Sequence, residues 1–74
     1  MNDKKWMLWG NELYYSGHGK GDAHYLINTG DVEIRLDEKG EILEIVIKNI
    51  NKYLEPKEIE KIAYKPEIPK TTKH

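Results

Sequence analysis

The clearest hydrophobic pattern of this chain lies between residues 32 and 47. From 32 to 36 an apolar residue stands at every second position, and the residues between them are charged. This period of two predicts a strand with one buried face. Asp37-Glu38-Lys39-Gly40 follows and is typical of a type I turn, with Asp at the first position and Gly at the fourth. A hairpin built on this turn places Ile34 opposite Leu43, so that the apolar side chains of both strands share one face.

A second hairpin is predicted at the N-terminus, where two aromatic-rich runs flank Gly10-Asn11. A dipeptide of this kind between two apolar runs is a signal for a two-residue turn. We therefore predict strands over Lys5–Trp9 and Glu12–Ser16, in a register that places Trp6 opposite Tyr15. Large apolar groups then occur on both faces of this hairpin, so one face packs inside and the other is covered or exposed.

The remaining predicted elements are one short strand and one helix. A third strand is expected over His24–Asn28, between a glycine-rich loop and a turn. Pro56 suits the first position of a helix, and apolar residues follow it at helical spacing at positions 59, 62 and 63. These signals predict a helix over Pro56–Tyr64, which is too short to form without docking.

Together these elements predict an α+β fold, a small antiparallel β-meander of four to five strands with one C-terminal helix over one sheet face. The single domain is expected over residues 1–65, with an extended or disordered tail at 66–74. A chain of 74 residues buries only about 60% of the surface that its unfolded form exposes. Because it has no cysteine, neither a disulfide nor a Cys-based zinc site can stabilise it, which favours oligomerisation or a partner.

Charge and hydropathy narrow the classes of function. Twelve basic residues against thirteen acidic ones give a net charge of −1. General nucleic-acid binding needs an excess of positive charge to neutralise phosphates, and this chain does not have it. No apolar run approaches the roughly 20 residues that span a bilayer. The first residues also lack the pattern of a signal peptide. We therefore expect a cytoplasmic protein that does not associate with membranes.

A family resemblance is carried by Leu13-Tyr14-Tyr15 and by a later run with Asp37, Gly40, Ile42, Ile45 and Ile47. This pattern resembles the small bacterial and archaeal family called "domain of unknown function 2283", and the resemblance covers roughly residues 11–54. It implies a small β-rich domain. It implies no reaction, since none is established for the family, and it suggests an accessory or toxin–antitoxin-type partner.

The aromatic residues of the N-terminal half are the best candidates for a binding surface. The candidate residues are Trp6, Trp9, Tyr14 and Tyr15. Exposed aromatics on a small sheet favour a protein–protein interface, used for self-association as a dimer or for binding a partner protein as the antitoxin-like half of a small two-gene system. The alternative is single-stranded nucleic acid, since aromatic rings can stack on bases while cations contact the backbone. The cations for that alternative are Lys4, Lys5 and Lys20.

The loop after the first hairpin contains the only cluster of ligand-type side chains. His18, Asp22 and His24 could hold Zn²⁺ or Ni²⁺. No fourth ligand is evident, so a solvated loop is the favoured interpretation. The glycines at 17, 19 and 21 could present N–H groups to an anion, but they match no phosphate-binding motif, and a wide hairpin loop is favoured there too.

No catalytic constellation is recognisable along the chain. It has no cysteine nucleophile and no Ser-His-Asp arrangement, and Glu33, Asp37 and Glu44 are interpreted as parts of a solvated face. A chain this short can hardly build a closed cleft alone. We expect a non-catalytic binding domain that uses no cofactor.

Overall fold

A single mixed sheet of six strands forms the framework of the protein, in the order β3-β4-β5-β2-β1-β6. The computed structural model describes residues 4–66. The strands are β1 (Trp6–Trp9), β2 (Glu12–Ser16), β3 (Tyr25–Thr29), β4 (Val32–Leu36), β5 (Ile42–Ile47) and β6 (Ala63–Tyr64). One helix, α1 (Pro56–Ile62), and a 3₁₀ turn at Ile50–Lys52 complete the described chain. The α+β class is confirmed.

The prediction of an antiparallel meander is wrong in two respects. First, β2 pairs with β5 and not with β3, so the N-terminal hairpin joins the other three strands in the middle of the sheet. The loop between β2 and β3 crosses the end of the sheet, where the Gly17 and Gly19 amides donate to the carbonyls of Leu43 and Ile42. Second, β6 pairs in parallel with β1, so the sheet is mixed.

Two hairpin turns have a glycine at their first central position. Gly10 has φ +60° and Gly30 has φ +77°, while the residue after each has a negative φ, as in a two-residue type II′ turn. The predicted register of the first hairpin is confirmed, with Trp6 opposite Tyr15. The third strand is confirmed as an element, one residue later than predicted.

The predicted register between β4 and β5 is wrong by two residues. Ile34 lies opposite Ile45 and not opposite Leu43. The turn is one residue longer than predicted, since Leu36 lies opposite Ile42, with Gly40 at φ +83° and the Asp37 amide donating to the Glu41 carbonyl. A bulge at Arg35/Leu36 adds the second residue of the shift. A shift of two keeps each side chain on its predicted face.

Asp37 is buried, so its assignment to a solvated face is wrong. Its carboxylate accepts hydrogen bonds from the backbone amides of Lys20, Lys39 and Glu41 at 3.0, 2.9 and 2.8 Å. These bonds, with that of Lys20 first, lower the pKa of the Asp37 carboxyl. The Asp37 side chain therefore stabilises the β4–β5 turn and connects it to the loop between β2 and β3.

The helix ends two residues earlier than predicted. Glu58 accepts a hydrogen bond from the Glu55 amide at 3.0 Å, which caps the N-terminus ahead of Pro56. At the other end the Ala63 amide still donates to the Ile59 carbonyl, but its backbone is extended, with φ −128° and ψ 151°. Pairing of Ala63 and Tyr64 with β1 replaces the last helical turn.

The core lies between α1 and the β1–β2 side of the sheet. Its buried members are Leu13, Ile50, Ile59 and Ala63, and its half-buried members are Trp6, Leu8, Ile47 and Leu54. The helix therefore docks on one face, as predicted. No helix within residues 4–66 is long and apolar enough to cross a membrane. Apart from Pro66, the predicted tail lies outside the described residues.

Candidate functional site

One face of the sheet is apolar across almost its whole width. Residues that pair between strands share a face, so the registers align two rows of side chains on the side where α1 docks. The first row is Trp6, Tyr15, Ile45, Ile34 and Ile27. The second row is Leu8, Leu13, Ile47, Val32 and Thr29. Neither row contains a charged residue.

The helix covers only part of this face. Its core contacts lie on β1, β2 and the end of β5, whereas β3 and β4 make their main contacts with neighbouring strands alone. We call the uncovered part the open apolar face. Its residues are Tyr15, Tyr25, Ile27, Val32, Ile34 and Ile45. Tyr25 is 56% exposed and Ile27 is 44% exposed, so large apolar side chains meet solvent on this surface.

An apolar groove of about 370 Å³ connects the open apolar face to the helix. Val32 and Ile47 belong to its sheet side, and Tyr53, Leu54 and Ile62 form its other wall. Ile62 is 40% exposed although it is a helical isoleucine on the sheet side. The packing of the helix against the sheet is therefore incomplete along this border.

The four predicted interaction residues are divided between the two faces. Trp6 and Tyr15 lie on the helix side, with ring centroids 5.2 Å apart and planes tilted by 42°. Trp9 and Tyr14 lie on the opposite face. The Tyr14 hydroxyl donates to the Glu12 carboxylate at 2.6 Å, and this hydrogen bond raises the pKa of the Tyr14 phenol. Of the four, Tyr15 belongs to the open apolar face and Trp6 borders it, whereas the other two side chains point to the opposite side of the sheet.

The opposite face of the sheet is charged. Glu33 makes ion pairs with Arg35 at 3.3 Å and with Lys48 at 3.7 Å. Glu44 lies opposite Arg35, and Val46 is buried between the neighbouring strands. Trp9 and Leu26 are also exposed on this face, but they lie on strands at different ends of the sheet with charged residues between them. The other face has a continuous apolar surface without charge, and it is therefore the candidate site.

The predicted metal ligands are not brought together. Within residues 4–66 no group of three or more His, Cys, Asp or Glu side chains is placed to hold a metal ion, which includes the region of His18, Asp22 and His24. The nearby glycines Gly17 and Gly19 instead allow the loop to approach the backbone of β5 closely. A Cβ atom on Gly17 would lie 2.1 Å from the Ile42 carbonyl oxygen, and one on Gly19 would lie 2.9 Å from it. Their amides bond to β5, so these donors are already used and are not directed at an anion.

The predicted nucleic-acid lysines do not line the open apolar face. The Lys4 ammonium donates to the Glu60 carbonyl at the end of α1, where a cation is favourable. Lys20 lies beside Asp37 at the β4–β5 turn, and Lys5 is exposed ahead of β1. Binding of single-stranded nucleic acid stays a prediction.

A polar cluster around Asp31 was not foreseen from the sequence. Its carboxylate accepts hydrogen bonds from the side chains of Tyr53, Asn49 and Lys52, at 2.5, 2.9 and 3.1 Å. These bonds, with that of Tyr53 first, hold the pKa of Asp31 at about 2, below its ordinary 3.8. The cluster fastens the β3–β4 turn to the 3₁₀ turn and so supports Tyr53 at the wall of the groove. No local signal links residues 31 and 53.

No protein-family model matches the chain, and neither a curated protein nor a solved structure matches it.

Proposed function

We propose that this protein is a non-catalytic interaction domain that associates with a second copy of itself through the open apolar face. The observation that carries this proposal is the uncovered half of an otherwise apolar sheet face. The resemblance to the "domain of unknown function 2283" family remains a prediction, and the proposal does not depend on it.

The small core supports this proposal. Within residues 4–66 only Leu13, Val46, Ile50, Ile59 and Ala63 are fully buried apolar residues. A domain of this size needs additional burial, since a small core supplies little net stability. Association that covers Ile34 and Ile45 would extend the core across the remaining strands.

The size of the apolar surface also supports it. Tyr25 and Ile27 on the open apolar face are 56% and 44% exposed, and Tyr53 and Ile62 at the groove are 56% and 40% exposed. A contiguous exposed apolar surface of this kind is typical of an interaction site. A standard interface removes about 800 Å² from each partner. An interface of that size on this face also includes the polar residues that surround it.

Charge favours a second copy over nucleic acid as the occupant. The two rows of the apolar face contain no charged residue, so stacking one copy on another brings no like charges together. A nucleic acid would need cations beside the aromatic rings. Lys4 and Lys20 are instead placed at the helix end and at the β4–β5 turn.

The test places a charge on the open apolar face. Ile34 lies in the middle strand of the open face, between Ile27 and Ile45. We expect Ile34→Lys to lower the solution mass measured by light scattering, because stacking would bury an unpaired ammonium group. Ser16→Lys is the matched control, since Ser16 is exposed on the opposite face. An unchanged mass for Ile34→Lys, with circular dichroism like that of the wild type, would remove the open apolar face as the interface.

A further inference from the structure

The strand β3 is an unprotected edge of the sheet. It is the first strand in the sheet order, and all five of its residues, Tyr25–Thr29, are exposed. Proteins usually protect such edges with charges, proline, bulges or a covering loop, because unpaired backbone groups recruit other strands. β3 contains no charged residue and no proline. The loop that precedes it bonds to β5 and to the β4–β5 turn, so it leaves this edge uncovered.

The geometry of the β3–β4 turn shows which backbone groups face outward. The two-residue turn at Gly30 is flanked by Thr29 and Val32, and residues that flank such a turn bond to each other. Hydrogen-bonded and non-hydrogen-bonded pairs then alternate along the ladder. It follows that Leu26 and Asn28 direct their N–H and C=O groups away from β4.

We propose that β3 pairs in antiparallel orientation with β3 of a second copy, about a two-fold axis that passes beside Ile27. Leu26 then lies opposite Asn28 of the partner subunit, and Asn28 lies opposite Leu26 of the partner subunit. Each of these two pairs exchanges two backbone hydrogen bonds. The register uses the outward-facing groups of both strands and pairs all five residues.

A second copy is the occupant because the pairing is self-complementary. The only other free edge within residues 4–66 is β6, which has two residues and cannot pair along the five residues of β3. Among the strands of residues 4–66, β3 therefore finds a full-length edge partner in another β3, and head-to-tail growth through β6 is not available. The absence of charge on both strands leaves no repulsion across the two-fold axis.

This pairing makes a distinct contact from the one proposed above, and the two are compatible. The axis of the edge contact is perpendicular to the sheet, so both open apolar faces lie on the same side of a continuous twelve-stranded sheet. Stacking of two such sheets on their open faces uses a two-fold axis within the plane of the interface. Two perpendicular two-fold axes generate a four-chain assembly with D₂ symmetry. The complete assembly rests on the proposed function, whereas the edge contact does not.

The test substitutes Leu26 in two ways. We expect Leu26→Pro to reduce the mass from four chains to two, because proline removes the outward N–H of an edge strand and leaves the β3–β4 ladder intact. Leu26→Ala is the matched control, since it keeps the N–H, and its mass should equal that of the wild type. Leu26→Lys is the second variant if the proline variant fails to fold, and it should also give two chains.

Amide hydrogen exchange reports on the contact itself. In the wild-type assembly we expect the Leu26 and Asn28 amides to exchange at least tenfold more slowly than in Leu26→Lys, where both positions keep an N–H. Equal exchange rates, or a four-chain mass for Leu26→Pro and Leu26→Lys, would overturn the edge contact and leave the stacking proposal intact. An unchanged mass for Ile34→Lys, with slow exchange at Leu26, would overturn stacking and support the edge contact. A monomeric wild-type protein would overturn both.

Discussion

Substitution of Gly17 by alanine tests whether the close approach of the glycine loop to β5 holds the sheet together. A Cβ atom at this position would lie 2.1 Å from the Ile42 carbonyl oxygen and 2.8 Å from its carbonyl carbon, both in the backbone of a central strand. Neither atom can turn aside, so the loop must move away by more than about 1 Å to reach ordinary contact. The bonds from the Gly17 and Gly19 amides to β5, at 3.0 and 2.8 Å, lie in the path of that movement.

The expected cost of Gly17→Ala combines two effects. Overpacking against a rigid neighbour costs about 1–3 kcal/mol, and each weakened backbone hydrogen bond adds roughly 0.5–1.5 kcal/mol. We therefore expect the free energy of unfolding to fall by about 2–6 kcal/mol. A chain of this length has a total stability of roughly 4–11 kcal/mol, so the variant should be marginally folded or unfolded.

Urea denaturation followed by circular dichroism measures this loss, and Gly21→Ala is the matched control. Gly21 has φ +86°, and an added Cβ would have nothing within 4 Å. Its substitution costs only the strain of a left-handed residue, about 1–2 kcal/mol. If Gly17→Ala is no more destabilising than Gly21→Ala, the close approach of Gly17 to Ile42 does not hold the sheet together.

Two further predictions concern the core and the polar cluster. Leu13 is 1% exposed at the centre of the core. We expect Leu13→Ala to lower the free energy of unfolding, measured in urea titrations, by about 2–5 kcal/mol, because it leaves a cavity under α1. A loss below about 1 kcal/mol would contradict this location of the core. The pKa of Asp31 is lower in the folded state, at about 2, than its ordinary 3.8, so its stabilising contribution is complete above pH 4 and is lost as the pH falls towards 2. Melting temperatures across that range should decrease less steeply in Asp31→Asn than in the wild type, whereas Asp22→Asn, an exposed loop control, should keep the wild-type slope.

Local pattern was sufficient to predict most strands. The alternation from residue 32 to 36 and the Gly10-Asn11 turn depend on neighbours in sequence, and both hairpins are present. The helix was predicted two residues too long, because Ala63 and Tyr64 continue the apolar spacing while their pairing with β1 is a tertiary contact. The pairing of β2 with β5 was missed for the same reason, since nothing within either strand selects its partner.

The candidate site was predictable in part. Sequence pattern identified Trp6 and Tyr15 among the interaction residues, but it could not tell which face α1 would cover, and it therefore grouped them with Trp9 and Tyr14. Once the helix packs on β1 and β2, the same registers leave the apolar side chains of β3 and β4 uncovered. The site is thus a result of how far a seven-residue helix can reach across a six-stranded sheet.

The most direct test of self-association through the open apolar face is the solution mass of a Trp9→Phe variant, measured with its fluorescence across a concentration series. This variant retains Trp6 as its only tryptophan, at the border of the groove. Self-association through the open apolar face predicts that the mass rises above the 8.7 kDa of one chain and that Trp6 emission shifts to the blue over the same concentrations. A mass of 8.7 kDa at every concentration, or association that leaves the emission of Trp6 unchanged, would contradict it.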